Sequence, residues 1–453
     1  MPIEGWGTKK MEGSNVFLSC FNRVQSVPIS VFWKLKSVLV LGILLSSFFM
    51  NGQGSLVEKL EFIDAKRTKK SFIEKFIGMK QGMALDSAQM ERDILRLKRL
   101  PSVANAYYLV AQTENGNYEV QYVLNENFTL IPFANLFSSS NDDFAFRVGL
   151  QEFNAFGRNI TLGAFYQLDV YNSYGFAIRA PYLFTNNFGI AFNYNNFSTL
   201  EPVFLSSGTA EYRYGNTGVE LLGLYEFDLK NRMELGFSFF VEDYEYLSGA
   251  TNPQVPLNLN VDKHLFKLIF DHDGLDYFYY YVEGFRSLLN FQYVGSSDVN
   301  LPQFFIGFND FTYYKRIGNR GNWANRLRLG LASNVNSPFA PFTVDNNLNI
   351  RGVGNTIDRG TGAIVLNTEY RHTLLERNSF VLQGNIFLDG GTWRNPGGDF
   401  NDFLDADNLR IYPGLGFRVM HKRIFNAIFR VDYGYGITPD AANGIVFGIG
   451  QYF

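Results

Sequence analysis

The sequence predicts a membrane all-β protein, an antiparallel transmembrane barrel of about 16 strands over residues 127–453, preceded by one small α+β domain over residues 55–126. Three observations predict it. Aromatic residues make up 17 per cent of the chain, with 46 Phe and 26 Tyr beside 43 Gly, a composition of alternating strands rather than of helical membrane spans. Strand-like segments separated by Gly, Asn, Asp and Ser recur from Phe128 to the end, with no amphipathic helix between them. The one long apolar run, Val38 to Met50, falls short of the ~20 residues that a spanning helix needs.

That run instead reads as the core of a secretory signal. Lys34 and Lys36 precede it, and small residues at Gly52 and Gly54 follow, so residues 1–54 form a leader cut before Ser55. Cys20 is the single cysteine, which excludes an intrachain disulfide. Leu18 and Ser19 before it faintly suggest a lipoprotein site, but no apolar run precedes them, and an inert thiol is the plainer reading.

Residues 55–126 read as β-α-α-β-β. Leu56 to Ile63 is a strand, and Thr68 is placed to cap a short helix with Phe72, Ile73, Phe76 and Ile77 on one stripe. Lys80-Gln81-Gly82 is a turn. Asp86, with Gln89 three residues on, forms a loose capping box for a second helix carrying Met90, Ile94 and Leu97 and ending before Pro101. Val103 to Ala111 and Tyr118 to Leu124 complete the sheet. Two uses fit such a unit: an open sheet edge that accepts another chain's strand, or a spacer or lid. The basic run Lys66, Arg67, Lys69 and Lys70 reads as a solvated turn.

In the barrel region, Ile160 to Leu168, Phe188 to Tyr194, Val219 to Phe227 and Met233 to Val241 are representative strands. Lipid cannot satisfy unpaired backbone groups, so the strands must close on themselves. The last ten residues, GIVFGIGQYF, put Ile445, Phe447, Ile449 and Phe453 on one face and Gly444, Val446, Gly448, Gly450 and Tyr452 on the other. Asn349 to Gly354, NIRGVG, is loop-like: a permissive glycine after Arg351 lets the chain turn and present a guanidinium fork. Downstream, Phe387, Asp389 and Gly391 share one face opposite Ile386 and Leu388, and Glu369 lies opposite Leu366 and Tyr370. With the apolar faces toward lipid, both carboxylates point into the lumen, where a folded-in loop brings Arg351 to them.

These motifs resemble those of the BamA/TamA superfamily of bacterial surface antigens. Its sixth extracellular loop carries V/I-R-G-F/Y, paired with an acidic residue on the next strand and F-x-D-x-G on the one after. Ile350, Arg351 and Gly352 match the first, Glu369 the second, and Phe387, Asp389 and Gly391 the third; Val353 stands where the family prefers an aromatic. The α+β unit is similar to one POTRA domain. NAFGRN, APYLF and FDHDGLD, the last placed before a strand, resemble positions of the family barrel, so the likeness spans nearly all of the mature chain. Phe447, Ile449, Tyr452 and Phe453 resemble the C-terminal signal by which outer-membrane barrels are recognised.

The resemblance implies a barrel in the bacterial outer membrane with its POTRA-like domain in the periplasm, assisting insertion, folding or translocation of other proteins. Its partners would be the lipid bilayer, unfolded outer-membrane or secreted clients, and envelope assembly subunits. A single POTRA-like unit points to an accessory or specialised role. The family's weak pairing of first and last strands implies a lateral gate, although a plain closing strand explains the same glycines. Arg351 reads either as a staple for the loop or as a client contact.

No enzyme, cofactor or metal site is expected. The four histidines show no zinc spacing. Asp271, Asp273 and Asp276 have the wrong order for a calcium loop and read as a strand-end turn. Asp399, Asp402, Asp405 and Asp407 read as a solvated loop. A net charge of −3 gives no support to nucleic-acid binding. The alternative from another class is a passive pore or a scaffold subunit of an envelope complex.

Overall fold

The computed structural model describes residues 55–138, 144–168, 170–278, 281–344, 349–353, 358–422, 428–439, 441–450 and 453. The leader with Cys20, the mid-barrel gaps and Tyr452 lie outside the described residues.

The chain begins with β1 (Val57–Ile63), α1 (Lys70–Phe76), α2 (Ser87–Lys98), β2 (Val103–Gln112) and β3 (Tyr118–Glu126). β3 is central, parallel to β1 and antiparallel to β2. Both helices lay their apolar stripes on this sheet, burying Phe72, Ile73, Phe76, Met90, Ile94 and Leu97 against Val120, Tyr122 and Leu124. A buried carboxylate ties the layers together. Asp93 accepts from the amides of Gly78 (2.7 Å) and Met79 (2.9 Å) and from the hydroxyl of Tyr122 (2.9 Å).

Two capping expectations change. Asp86 does cap α2, accepting from the Gln89 amide at 3.0 Å, but the Gln89 side chain turns to Asp93 instead of back to the cap. Thr68 caps nothing. The residue before α1 is Lys69, whose side chain makes no cap bond, and Thr68 is buried with its hydroxyl accepting from Asn154 at 3.1 Å. Tertiary contact has taken the side chain that the local pattern assigned to the helix.

The barrel follows. Its strands are β4 (Leu130–Ser138), β5 (Phe144–Ala155), β6 (Ile160–Leu168), β7 (Asn172–Ala180) and β8 (Phe188–Leu205). Then come β9 (Gly208–Glu226), β10 (Asn231–Gly249), β11 (Asn258–Phe278), β12 (Tyr281–Ser296), β13 (Phe304–Ile317) and β14 (Gly321–Ala332). A two-stranded hairpin, β15 (Phe342–Val344) and β16 (Asp358–Gly360), stands apart from the wall. The wall resumes with β17 (Gly362–Arg377), β18 (Phe380–Arg394), β19 (Leu409–His421), β20 (Ile428–Tyr435) and β21 (Asn443–Ile449). Together they make one 16-stranded antiparallel sheet in chain order, with β14 pairing directly to β17 across the long loop.

Side-chain alternation gives the wall two faces. On β10, Leu235, Phe237 and Phe239 are exposed on the outer face. On the alternate positions Glu234 and Ser238 turn inward, Glu234 to Arg179 and Ser238 to Glu220. An apolar exterior over a paired polar interior is what lipid on one side and water on the other require.

The DHDGLD segment departs from expectation. It lies within β11, 21 residues long, and not in a turn at a strand end. Asp271 receives Arg232 (3.1 Å) and Arg286 (2.8 Å), so its acidity belongs to lumen ion pairs. The acidic loop at 399–407 closes on itself, with Asp399 capping a short 3₁₀ turn through the Asn401 amide.

β4 and β21 are the two ends of the sheet, and no hydrogen-bonded ladder joins them among the described residues. Ile445 and Phe447 face outward as expected, at 56% and 47% exposure. Phe453 does not share their face. β21 stops at Ile449, Gly450 adopts φ +101°, and the Phe453 ring packs inside the wall against Leu275, Val282, Tyr314 and Ala324. The left-handed glycine breaks the alternation that a strand continued to the end would keep.

The α+β unit sits against the turns at one end of the barrel. Tyr182, in the turn after β7, packs edge-on against Phe76 (4.8 Å between centroids) and tilted against Phe72 (6.3 Å). Its hydroxyl donates to Glu226 at 3.0 Å. Arg96 of α2 lies over Phe76 and donates to the carbonyl of Asn186 at 2.5 Å. At the β5–β6 turn, the Lys69 amide donates to the carbonyl of Gly157 at 2.9 Å.

Candidate functional site: a loop clamped inside the barrel

The loop between β14 and β17 dips into the lumen and presents Arg351, which has no exposed side-chain surface. Its guanidinium forks onto Asp389, with Nε at 2.8 Å from one carboxylate oxygen and Nη2 at 2.9 Å from the other. The backbone amide of Arg351 also donates to Asp389 at 3.0 Å. Nη1 donates to Glu369 at 2.6 Å and stands 3.8 Å from Asp432. The Phe387 ring lies beneath, 3.6 Å from the guanidinium carbon. Three bonds to Asp389 fix loop backbone and side chain together, so the arrangement is a clamp in which charge and geometry agree.

Each strand contributes through the two-residue period. On β18, Phe387, Asp389 and Gly391 all turn inward, to receive respectively the guanidinium face, the guanidinium fork and Ile350. A Cβ on Gly391 would stand 2.8 Å from the Ile350 methyl, so the glycine makes room for the loop. Ile350 and Val353 are fully buried with Val344, Val365, Trp393 and Tyr412. Tyr412 and Trp393 come from the wall, so the aromatic packing at the tip is supplied there while Val353 stands in the loop.

The site is wider than the sequence pattern. Glu369 is held by Arg371 and by Arg418, the latter at 2.6 and 2.8 Å. Asp432 takes Arg430 at 3.2 Å and Asn385 at 3.0 Å. Asn367 donates to the Asn349 carbonyl at 2.7 Å, and Arg326 binds both Asn367 (2.9 Å) and that carbonyl (3.2 Å). Arg326 and Arg371 also each come within 5.6 Å of the Phe453 ring. Arg418 and Asp432 were legible only as charges on the inward face of strands whose other residues, Phe417, Val419, Val431 and Tyr433, are apolar.

Of the residues singled out in sequence, Ile350, Arg351, Gly352, Glu369, Phe387, Asp389 and Gly391 meet at one place. Phe447 and Ile449 lie on β21 away from it, and Phe453 reaches the lumen near its edge. Among the described residues no cluster of His, Cys, Asp and Glu is placed to hold a metal ion.

The fold as a whole has counterparts among solved structures. BamA from Haemophilus ducreyi lacking POTRA domains 1–3 superposes with a TM-score of 0.51 over 88% of this chain and 84% of that one, at 14% identity. The fold is that of the BamA and CdiB barrels. CdiB from Acinetobacter baumannii gives a TM-score of 0.57 over 88% of this chain and 74% of its own, at 14% identity. CdiB from Escherichia coli gives 0.58 over 87% and 76%, at 11% identity. No family model matches the sequence, and no curated protein matches it. The likeness to BamA and CdiB is therefore one of fold, carried at low identity.

Proposed function

We propose that this chain is an outer-membrane barrel that inserts other proteins into the membrane or moves them across it, in an accessory or specialised role. Residues 55–126 would serve as its POTRA-type domain on the periplasmic side. The observation that carries the reading is the Arg351 clamp, which holds the loop tip in the lumen on the three motif segments in their family order. The BamA-like and CdiB-like fold supports the same reading.

The chemistry needed is non-covalent. β4 and β21 carry backbone donors and acceptors at the seam, where an unsatisfied group in lipid costs several kcal/mol. A client strand adding to either edge would satisfy them through main-chain bonds with little demand on side chains. At the other end of the chain, β2 is the open edge of the small sheet. The far edge of β1 is taken by the turn at 82–84, through Val57 to Met83 and Gly82 to Val57, both 2.8 Å. Tyr107 and Leu109 lie exposed on β2, an apolar edge suited to an extended segment. Clients would thus be unfolded outer-membrane or secreted proteins, with the bilayer as the second partner.

The test is depletion of the protein followed by quantitative proteomics of the outer membrane. A broad fall in barrel proteins makes it a general insertase, and loss of one or a few surface proteins makes it a dedicated translocator. No change in a strain without a redundant homologue overturns the proposal and favours a pore or scaffold. A pore would also show large steady conductance in planar bilayers, whereas a barrel with its loop clamped inside would pass small currents.

A further inference from the structure

One row of the wall is stripped of side chains. Reading across the register, Glu369 on β17 is opposite Phe387 on β18, then come Gly414 on β19, Gly434 on β20 and Gly444 on β21. The first two reach into the lumen, and the next three leave a trough beside them. Phe387 lies over Gly414, where any Cβ would run into its ring. The loop backbone lies over the other two. A Cβ on Gly352 would stand 2.6 Å from the Gly434 carbonyl oxygen and 2.7 Å from its Cα. From the other side, a Cβ on Gly434 would run into the Arg351 carbonyl, and one on Gly444 would stand 3.2 Å from the Gly352 carbonyl oxygen. Glycine within a strand marks close approach of another backbone, and here the approaching backbone is the clamped tip.

We propose that Gly414, Gly434 and Gly444 are positioning residues, a seat that couples the Arg351 loop tip to the last strand of the barrel. Arg351 fixes the tip to β17 and β18 through Glu369 and Asp389. The seat extends that hold across β19 and β20 to β21, one of the two end strands of the sheet, which has a ladder on its β20 side only among the described residues. The tip acts as a strap from the firmly paired wall to its free edge, and releasing the tip loosens β21. The inference rests on the barrel geometry and stands independently of the transport reading.

The test is hydrogen exchange with mass spectrometry on the full chain in lipid nanodiscs. Gly444→Ala introduces a tight contact with the tip and leaves every ion pair in place. Gly434→Ala introduces a severe one. Gly307→Ala is the control, since its Cβ would meet only an ordinary 3.6 Å contact. Overpacking of this kind predicts exchange on the order of 10-fold faster in both residues 349–353 and residues 443–449 of Gly444→Ala, with β14 and β17 protected as in the parent. Arg351→Lys, which weakens the clamp and leaves the seat untouched, is expected to speed residues 443–449 as well. Where Gly434→Ala does not fold, the other two variants decide. Faster exchange in the tip alone, no change in either segment, or uniform acceleration over the whole barrel each overturns the coupling.

Discussion

Replacing Arg351 by alanine removes the centre of the clamp, and the structure says where the damage falls. Glu369 retains Arg371 and Arg418. Asp389 loses both guanidinium bonds and keeps only the backbone amide of residue 351, while its side chain remains wholly buried. Leaving a buried charge without its partner costs about 3–5 kcal/mol. At roughly 2–4 °C per kcal/mol for a domain of this size class, the melting temperature should fall on the order of 10 °C. The assay is the heat at which the folded barrel loses its faster gel mobility, with Arg320→Ala, an exposed turn residue, as control. The double variant Arg351→Ala/Asp389→Ala removes the orphaned charge too, so it should be more stable than the sum of the single effects by about 2–3 kcal/mol. Equal melting of Arg351→Ala and Arg320→Ala, or strict additivity in the double variant, would refute the clamp.

The remaining predictions use the same fold at other points. Gly352→Ala combines a φ of +93° with contact against Gly434, whereas Gly318→Ala has φ +57° and open space around it. The first should lower melting by several degrees more than the second, the contact adding about 1–3 kcal/mol. Tyr182→Ala should loosen the α+β unit from the barrel by roughly 1–3 kcal/mol, read as faster amide exchange in α1, and Tyr182→Phe should lose less because the rings remain. Burial, helped by the neighbouring Asp93, holds the Tyr122 hydroxyl well above its ordinary pKa of 10.0. The unfolded chain therefore releases that proton first, so this contribution is intact below about pH 10 and is lost as pH rises further. Proteolysis of the small unit should rise in alkali, and Tyr122→Phe should remove that step.

The strand count, the inward set of Phe387 and Asp389 and the layout of the small domain were legible because strands alternate with period two and helices with a stripe. That periodicity is local. What it could not carry was anything decided by a partner distant in the chain. Thr68 looked like a cap and was taken by Asn154 of the barrel. DHDGLD looked like a turn because turns favour Asp and Gly, yet Arg232 and Arg286 across the ladder make it good lumen strand. Phe453 followed the alternation on paper until Gly450 turned the chain inward. The glycine row is likewise invisible in one dimension, because Gly414, Gly434 and Gly444 become neighbours only through the register of three strands.

The strands of this wall differ threefold in length, from 7 residues in β21 to 21 in β11. At about 3.4 Å per residue and a tilt near 40°, β11 rises roughly 55 Å along the barrel axis and β21 only about 18 Å. The hydrocarbon core of a bilayer is about 30 Å thick. On the β11 side the protein stands well clear of the lipid, but beside β21 the paired wall is lower than the slab in which it sits. Lipid tails there must shorten or tilt to meet it, and each ångström of mismatch costs a fraction of a kcal/mol. Among the described residues the lowest stretch of wall is therefore β21, an end strand of the sheet, so a bilayer around this barrel would be thinned most on that side and least beside β11.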